Sequence, residues 1–274
     1  MRLRSILLLI AAAIVPQAHA VTLDWSTETW TPGSLSNSYH VDPGTIGNDL
    51  TITVSGDTSA LQPGLVSPNP QTPAITQAFQ GGFAQPVSSL ELAVVFANNT
   101  QQITVTIDFA AHYALGVNNV SFTLFDIDTL IGSGSNFQDK ISGIHATSTD
   151  GVTQIAPTIS GVGPFTTLAG TGLNQTLTGN ALSSDLGNGS GNGNATISFG
   201  GQAIRSLTFT YTSGPDVGGT PTYQHIGLYN IDFTPVPEMN PAWFGVSACL
   251  LAVAWTGWVR RRSAKVDSVD DPMG

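Results

Sequence analysis

Residues 204–212 read IRSLTFTYT, and apolar and polar side chains alternate along most of this stretch. The stretch ITVTIDF at residues 103–109 shows the same alternation. Because successive side chains of a β-strand point to opposite faces of a sheet, a period of two predicts strands with one buried face and one exposed face. We expect Leu207, Phe209 and Tyr211 to share the face that packs into the core.

Seven further segments carry strand signals of the same kind. They are Leu50–Val54, Leu90–Phe96, Val120–Ile127, Lys140–Thr149, Val152–Ile159, Ala195–Phe199 and His225–Phe233. Asp150-Gly151 lies between two of them and predicts a two-residue hairpin turn. Stretches rich in proline or glycine at residues 61–86 and 179–194 are predicted loops. Nine short strands with few helix signals predict an all-β fold, an antiparallel and jelly-roll-like β-sandwich over residues 21–235.

The composition of residues 21–235 excludes several classes of function. Two basic residues against fourteen acidic ones give this segment a net charge of −12. A nucleic-acid-binding surface needs basic side chains to neutralise phosphates, so no nucleic acid partner is expected. The single cysteine of the chain excludes an intrachain disulfide and a cysteine-based zinc cluster. The histidines His40, His112, His145 and His225 lie far apart without paired spacing, which gives no support to a zinc site.

Residues 1–20, MRLRSILLLIAAAIVPQAHA, have the three parts of a secretory signal peptide. Arg2 and Arg4 supply the positive start, and an apolar run follows at residues 6–15. Ala18-His19-Ala20 matches the small-x-small pattern that signal peptidase cleaves. The apolar run is too short to cross a bilayer, so the sequence predicts an exported protein without an N-terminal anchor.

Residues 242–259, AWFGVSACLLAVAWTGWV, contain no charged side chain. As an α-helix they would be about 27 Å long, which is close to the thickness of the hydrocarbon core of a bilayer. Arg260, Arg261 and Arg262 follow directly and oppose transfer across the membrane. We therefore predict one transmembrane helix, with the domain at 21–235 exported and a cytoplasmic tail at 263–274. A buried helix of a soluble domain is the alternative, and it fits the adjoining arginines less well.

Val236-Pro237-Glu238, the apolar segment and the arginine cluster together resemble the PEP-CTERM sorting signal of Gram-negative bacteria. The resemblance covers residues 236–262; it departs from the family at Met239, where proline is usual, and in the tail beyond the arginines. It implies that an exosortase, a membrane-embedded processing enzyme, reads Val236, Pro237 and Glu238, while the arginines set the topology. It also implies an inner-membrane precursor, a final location in the envelope or outside the cell, and a link with exopolysaccharide.

Asp126, Asp128 and Asp139 form the most suggestive group of possible ligands. The first two share one side of a predicted strand near its end, and Asp139 follows about ten residues later. Carboxylates that converge with loop carbonyls suit Ca²⁺, which predicts a structural calcium site. The alternative is that these residues are solvated strand-end and turn residues of an acidic domain, which is the commoner case. Both interpretations stay open at this point.

Three functions from different classes are compatible with the sequence. The first is a non-enzymatic cell-surface or extracellular-matrix protein with a structural or adhesive role. The second is a carbohydrate-binding module, in which exposed aromatic rings would stack on sugars. The candidate rings are Trp25, Trp30, Tyr39 and Tyr223, and the commoner alternative is that such isolated aromatic residues lie in the core or at an edge of a sandwich. The third is an extracellular polysaccharide hydrolase, which would need two facing carboxylates from among Glu91, Asp108 and Asp232.

Overall fold

The computed structural model describes residues 19–132, 135–180, 190–218 and 220–237. The chain divides into two units, Ala18–Val236 and a second made of Met1–Gln17 with Pro237–Gly274. Nearly all of the second unit, including the predicted signal peptide and the predicted span at 242–259, lies outside the described residues. Among the residues that are described, no helix has the length and apolar character needed to cross a bilayer.

The first unit is all-β, and its described residues form sixteen strands, every pair of which is antiparallel. The first eight are β1 (Val21–Leu23), β2 (Ser36–Tyr39), β3 (Leu50–Gly56), β4 (Ala74–Phe79), β5 (Val87–Val94), β6 (Gln102–Phe109), β7 (Val117–Phe125) and β8 (Thr129–Gly132). The others are β9 (Ser135–Ser148), β10 (Gln154–Ile155), β11 (Thr158–Ser160), β12 (Thr166–Ala169), β13 (Thr176–Gly179), β14 (Ala195–Ser198), β15 (Ile204–Ser213) and β16 (Gln224–Pro235). Two short 3₁₀ turns, Thr58–Ala60 and Gly172–Asn174, complete the described elements.

The strand pairings fall into two groups. One group runs in the order β2-β3-β6-β15-β9-β13-β12, and the other runs β11-β14-β7-β16-β5-β4. The pair Ile204–Val117 joins the groups by linking β15 to β7. Three short strands add to the ends of longer ones, β1 to β16 and both β8 and β10 to β9.

The inward side chains of both groups pack into one apolar core. Phe122 of β7 stacks on Phe209 of β15 with ring centroids 5.9 Å apart. Phe109 of β6 meets Phe233 of β16 at 5.2 Å. Strand β6 alternates between buried and accessible side chains along its whole length, as a strand with one buried face must. The predicted all-β antiparallel fold is therefore confirmed.

Most of the predicted strands are present with small shifts of their ends, but one is broken. The predicted strand Val152–Ile159 is two short strands, because Pro157 between them lacks the amide that a continuous ladder needs. Its first part, β10, pairs with β9, and its second part, β11, pairs with β14 of the other group. The chain thus crosses between the groups where one straight strand was expected.

Two predicted connections differ from the structure. The predicted loop at 61–86 contains β4, which pairs with β5 and lies at the end of its group, where flanking prolines are tolerated. The predicted two-residue turn at Asp150-Gly151 is a longer loop, since the Ser148 amide donates to the carbonyl of Thr153. The carboxylate of Asp150 closes this loop by accepting the amides of Val152 and Thr153.

The alternation can be tested on β15 with a buried and an outward position. Phe209 is fully buried, so Phe209→Ala should lower the free energy of unfolding by about 3–5 kcal/mol through lost burial and a cavity. Thr210 lies on the opposite face, and Thr210→Val should change the free energy by about 0.5 kcal/mol or less. Urea denaturation of the full-length protein in mild detergent measures both. Equal effects at the two positions would contradict the assignment of faces.

Candidate functional site

The three predicted aspartates lie close together at one end of β7. Asp126 directly follows β7 in a left-handed conformation with φ of 66°, and Asp128 immediately precedes β8. The Asp139 amide donates to the Asp128 carbonyl at 2.9 Å, and the Asp139 carboxylate accepts the Asp128 amide at 3.2 Å. All three side chains are buried, which differs from the solvated turn residues of the alternative interpretation.

Asp139 is the most deeply buried of these carboxyl groups. The hydroxyl of Tyr211 donates to its Oδ1 at 2.5 Å. Burial and the neighbouring charges of Asp128 and Asp126 raise the pKa of Asp139 well above its usual range, in spite of the Tyr211 hydrogen bond. Asp139 therefore favours its neutral form, which reduces the repulsion among the aspartates.

His225 of β16 lies between two carboxylates. Its Nδ1 is 3.1 Å from Glu91 Oε1, and its Nε2 is 3.1 Å from Asp126 Oδ2. Burial opposes a charge on the ring, but the hydrogen bonds and charges of Asp126 and Glu91 raise the pKa of His225 to about 10. With an acceptor at each ring nitrogen, the protonated imidazole satisfies both contacts as a donor. No sequence pattern signals this arrangement, because Glu91 is 134 residues away from His225.

A second buried carboxylate, that of Asp49, contacts two histidines that are far apart in the sequence. His40 Nδ1 and His112 Nε2 each lie 3.1 Å from Asp49, on different oxygens. Asp49 also accepts the amides of Val41 and Asp42. These hydrogen bonds, with those of nearby hydroxyls, outweigh burial and lower the pKa of Asp49. The carboxylate closes the turn after β2 and has the contacts of a structural residue.

Neither group has the arrangement of a metal centre. Within the described ranges, no set of three or more histidine, cysteine, aspartate or glutamate side chains is placed to hold a metal ion. In the aspartate group, Asp126 contacts His225 and Asp139 accepts the Tyr211 hydroxyl. The calcium site at Asp126, Asp128 and Asp139 stays a prediction.

The three carboxylates considered for hydrolysis have three different surroundings. Glu91 is fully buried against His225, where it also accepts the hydroxyl of Thr76. Asp108 lies on an outward face of β6, opposite Ser206 of β15. Asp232 is exposed on β16, where Thr22 donates to it at 2.6 Å. The structure therefore does not bring these carboxylates together as a facing pair.

The aromatic residues considered for sugar stacking are mostly core residues. Trp25, Trp30 and Tyr39 are buried and pack on one another, with the rings of Trp25 and Tyr39 5.7 Å apart. The interpretation of these three rings as core residues is therefore confirmed, and they offer no exposed face for sugar stacking. Tyr223 is partly buried, and its hydroxyl donates to the Pro63 carbonyl.

A surface groove that the sequence did not reveal lies over β7, β14 and β16. We call it the β7–β16 groove, and its volume is about 340 Å³. It is lined by Thr22, Ser121, Phe122, Thr123, Thr196, Tyr229, Asn230 and Asp232. Most of the lining side chains carry hydroxyl, amide or carboxylate groups, and none is basic.

The groove is the outer side of the strands whose inner side builds the core. Ser121 pairs with Asp232, and Thr123 pairs with Thr196, whose hydroxyl lies 2.9 Å from that of Thr123. A β-bulge adds one residue to β16 between Leu228 and Ile231. Bulges bend a strand and redirect its side chains, and here the bulge contains Tyr229 and Asn230.

An aromatic platform adjoins the groove at Tyr229. Phe83 is 49% exposed, and its ring centroid lies 5.6 Å from that of Tyr229. Tyr229 in turn packs on buried Phe125 at 5.1 Å. The loop that carries Phe83 packs closely against Phe125. Gly81 of this loop lies so near the Phe125 ring that any side chain at position 81 would collide with it. Phe125 thus supports the Tyr229 ring, while about half of Phe83 is exposed to solvent.

The beginning of the predicted sorting motif lies at the end of the domain. The amide of Val236 donates to the carbonyl of Gly116 at 3.0 Å, and Pro237 is exposed. Glu238 and the arginines Arg260, Arg261 and Arg262 lie outside the described residues. The processing prediction therefore stays a prediction.

Comparison with known proteins gives distant structural likenesses only. The chain matches no family model, and it matches no curated protein in sequence. One similar crystal structure is a carbohydrate-binding module specific for non-crystalline cellulose, CBM28, with 11% identity and a TM-score of 0.33 over 58% of this chain and 78% of that one. Another is the mannan-recognising module TmCBM27, with 12% identity and a TM-score of 0.28 over 68% of this chain and 89% of that one. At these TM-scores neither likeness supports an inference about this chain.

The buried histidine makes stability depend on pH with a defined sign. The folded state keeps the His225 proton up to a pKa of about 10, whereas an unfolded histidine loses it near 6.5. The free energy of unfolding should therefore fall as pH rises between these values, by up to about 1.4 kcal/mol per pH unit from this group. Urea denaturation at several pH values measures the decline, and Glu91→Gln should move the His225 NMR titration to lower pH. A His225 titration near pH 6.5 in the folded wild type would contradict the assignment.

Proposed function

We propose that the chain is an exported, non-enzymatic cell-surface or matrix protein that binds polysaccharide through the β7–β16 groove. The observation that carries this proposal is the aromatic platform of Phe83 and Tyr229 beside a row of hydroxyl groups. A structural or adhesive role follows, because a surface domain that holds polysaccharide fixes it to the cell or within the matrix.

The chemistry of the groove matches that of a sugar chain. A pyranose ring has an apolar face of C–H groups, which suits an aromatic ring, and a rim of hydroxyls, which suits hydrogen-bonding side chains. Tyr229 offers the first kind of contact, and Ser121 and Thr123 offer the second. The volume of about 340 Å³ falls at the lower end of the usual range for small-molecule sites, which suits a few sugar units of a longer chain.

We infer that the two groups of strands are the two layers of a jelly-roll-like β-sandwich. The stacking of Phe122 on Phe209 and the contact of Phe109 with Phe233 support face-to-face packing of the groups. This arrangement leaves the outer side of β7 and β16 free as a rigid binding face. Sites on strands are held more precisely than sites on loops, which suits recognition of a regular polymer.

The surroundings of the acidic groups favour binding over hydrolysis. A glycosidase needs two carboxylates on either side of the scissile bond, with room for the sugar between them. Glu91 and Asp126 do face each other, but the ring of His225 fills the space between them and both are buried. Asp232 is the only carboxylate among the residues that line the groove.

Glycan binding can be tested on the platform itself. Phe83→Ala and Tyr229→Ala in the full-length protein should each weaken binding to a polysaccharide ligand by roughly tenfold, since each removes a stacking face. A glycan array with titration of the best ligand measures this. Ile46→Ala, a control at a highly exposed apolar residue outside the groove, should bind like the wild type. Platform variants that bind as well as the control would overturn the groove as the binding site.

We further propose that the C-terminal segment is a sorting signal for an exosortase. The hydrogen bond of Val236 to Gly116 ends the folded domain at the motif, and exposed Pro237 leaves the motif open to a processing enzyme. In this proposal the segment at 242–259 holds the precursor in the inner membrane, and Arg260, Arg261 and Arg262 keep its end in the cytoplasm.

Sorting is tested by following the size and location of the protein in its host. Glu238→Ala should leave a full-size precursor in the inner membrane, and deletion of Arg260, Arg261 and Arg262 should do the same. Met239→Pro, which restores the residue usual in the family, should be processed at least as well as the wild type. Immunoblots of fractionated cells give the readout. Normal product size and location in the Glu238 variant would contradict the proposal.

A further inference from the structure

A carboxylate also lines the groove. Asp232 is exposed there, and its Oδ1 accepts the hydroxyl of Thr22. A second carboxylate, Asp24, directly precedes Trp25, whose amide donates to the groove-lining side chain of Asn230 at 3.1 Å. The amide of Ser26 donates to Asp24 at 2.9 Å and lowers its pKa, which favours the charged form.

Among the described residues that line the groove, no side chain is basic. The only basic residues of segment 21–235 are Lys140 and Arg205, which lie on β9 and β15 in the other group of strands. The guanidinium group of Arg205 donates to the carbonyls of Thr149 and Ala114. A polyanionic chain such as a uronate polymer would therefore meet repulsion both in the groove and from the domain as a whole.

The aromatic rings beside the groove also attract positively charged groups. The faces of aromatic rings carry partial negative charge and attract cations within about 6 Å of the ring centre. Tyr229 and Asp232 line the same groove three residues apart on β16. A sugar that carries an ammonium group can thus stack its ring on the platform and direct its charge to a carboxylate.

We propose that the β7–β16 groove selects polysaccharides of amino sugars with free amino groups over their N-acetylated, neutral and anionic counterparts. This inference rests on the proposed glycan binding and adds the class of ligand. The ligand class follows from the combination of a carboxylate, an open aromatic face and the lack of a basic side chain in one groove. A polymer of partly N-deacetylated hexosamine has the chemistry required.

The test compares oligosaccharides of equal length that differ in charge. The full-length protein in mild detergent is titrated with chitosan oligosaccharide, with its fully N-acetylated form and with an oligo-uronate. We expect the order chitosan, N-acetylated form, uronate from tightest to weakest, and weaker chitosan binding when salt is raised from about 0.1 M to about 1 M. Asp232→Asn should weaken chitosan binding about fivefold and should weaken binding of the N-acetylated form by a smaller factor, since that form has no charge to pair with the carboxylate.

A matched control separates the groove from the general acidity of the domain. Asp108→Asn removes the same charge from an outward face of the other group of strands, and it should bind chitosan like the wild type. Equal weakening by Asp108→Asn and Asp232→Asn would overturn the proposal, because the attraction would then be non-specific. Equal affinity for the charged and N-acetylated forms would also overturn it, while glycan binding itself would stand. Absence of binding to any glycan, with no effect of Phe83→Ala, would overturn both proposals.

Discussion

The pairing of β7 with β16 is the contact on which the rest of the structure depends. It aligns Ser121 with Asp232 on the outer face and Phe122 with Ile231 on the inner face, so one ladder builds both the groove and part of the core. Gly227 pairs with Phe125, the last residue of β7, which brings the following residue, Asp126, within reach of His225. A shift of register by one residue would turn every side chain of β16 to the wrong face and break all of these contacts at once.

The buried charges at the end of this ladder are balanced locally. His225, whose pKa is raised to about 10, supplies a positive charge between Glu91 and Asp126, and burial raises the pKa of Asp139 nearby, which makes a negative charge there less favourable. A buried carboxylate without such a partner would destabilise the fold by several kcal/mol, roughly what breaking a buried ion pair costs. The domain can therefore be strongly acidic overall and still contain four buried carboxyl groups in this region, namely those of Glu91, Asp126, Asp128 and Asp139.

The sequence predicted the features that depend on local pattern and missed those that depend on distant contacts. Alternation at 103–109 and 204–212 predicted β6 and β15, because the period of two is visible within a few residues. The platform could not be predicted in this way, since Phe83 lies in a glycine-rich loop and Tyr229 in a strand far along the chain. Trp25 and Trp30 had two open interpretations, because a lone tryptophan in a polar segment does not show by itself whether a core covers it, and the structure places both in the core.

The position of the groove along the chain bears on how binding and sorting can coexist. The last residue that lines the groove is Asp232, and the domain ends four residues later at Val236. At the usual rise per residue of a strand, these two residues are roughly 13 Å apart. Every groove residue thus precedes the proposed processing motif. Cleavage at that motif would separate the domain from the proposed membrane segment without removing any residue that lines the groove. The hydrogen bond of Val236 to Gly116 anchors the new end of the chain to the residue just before β7, so the ladder that carries the groove would stay intact in the released protein.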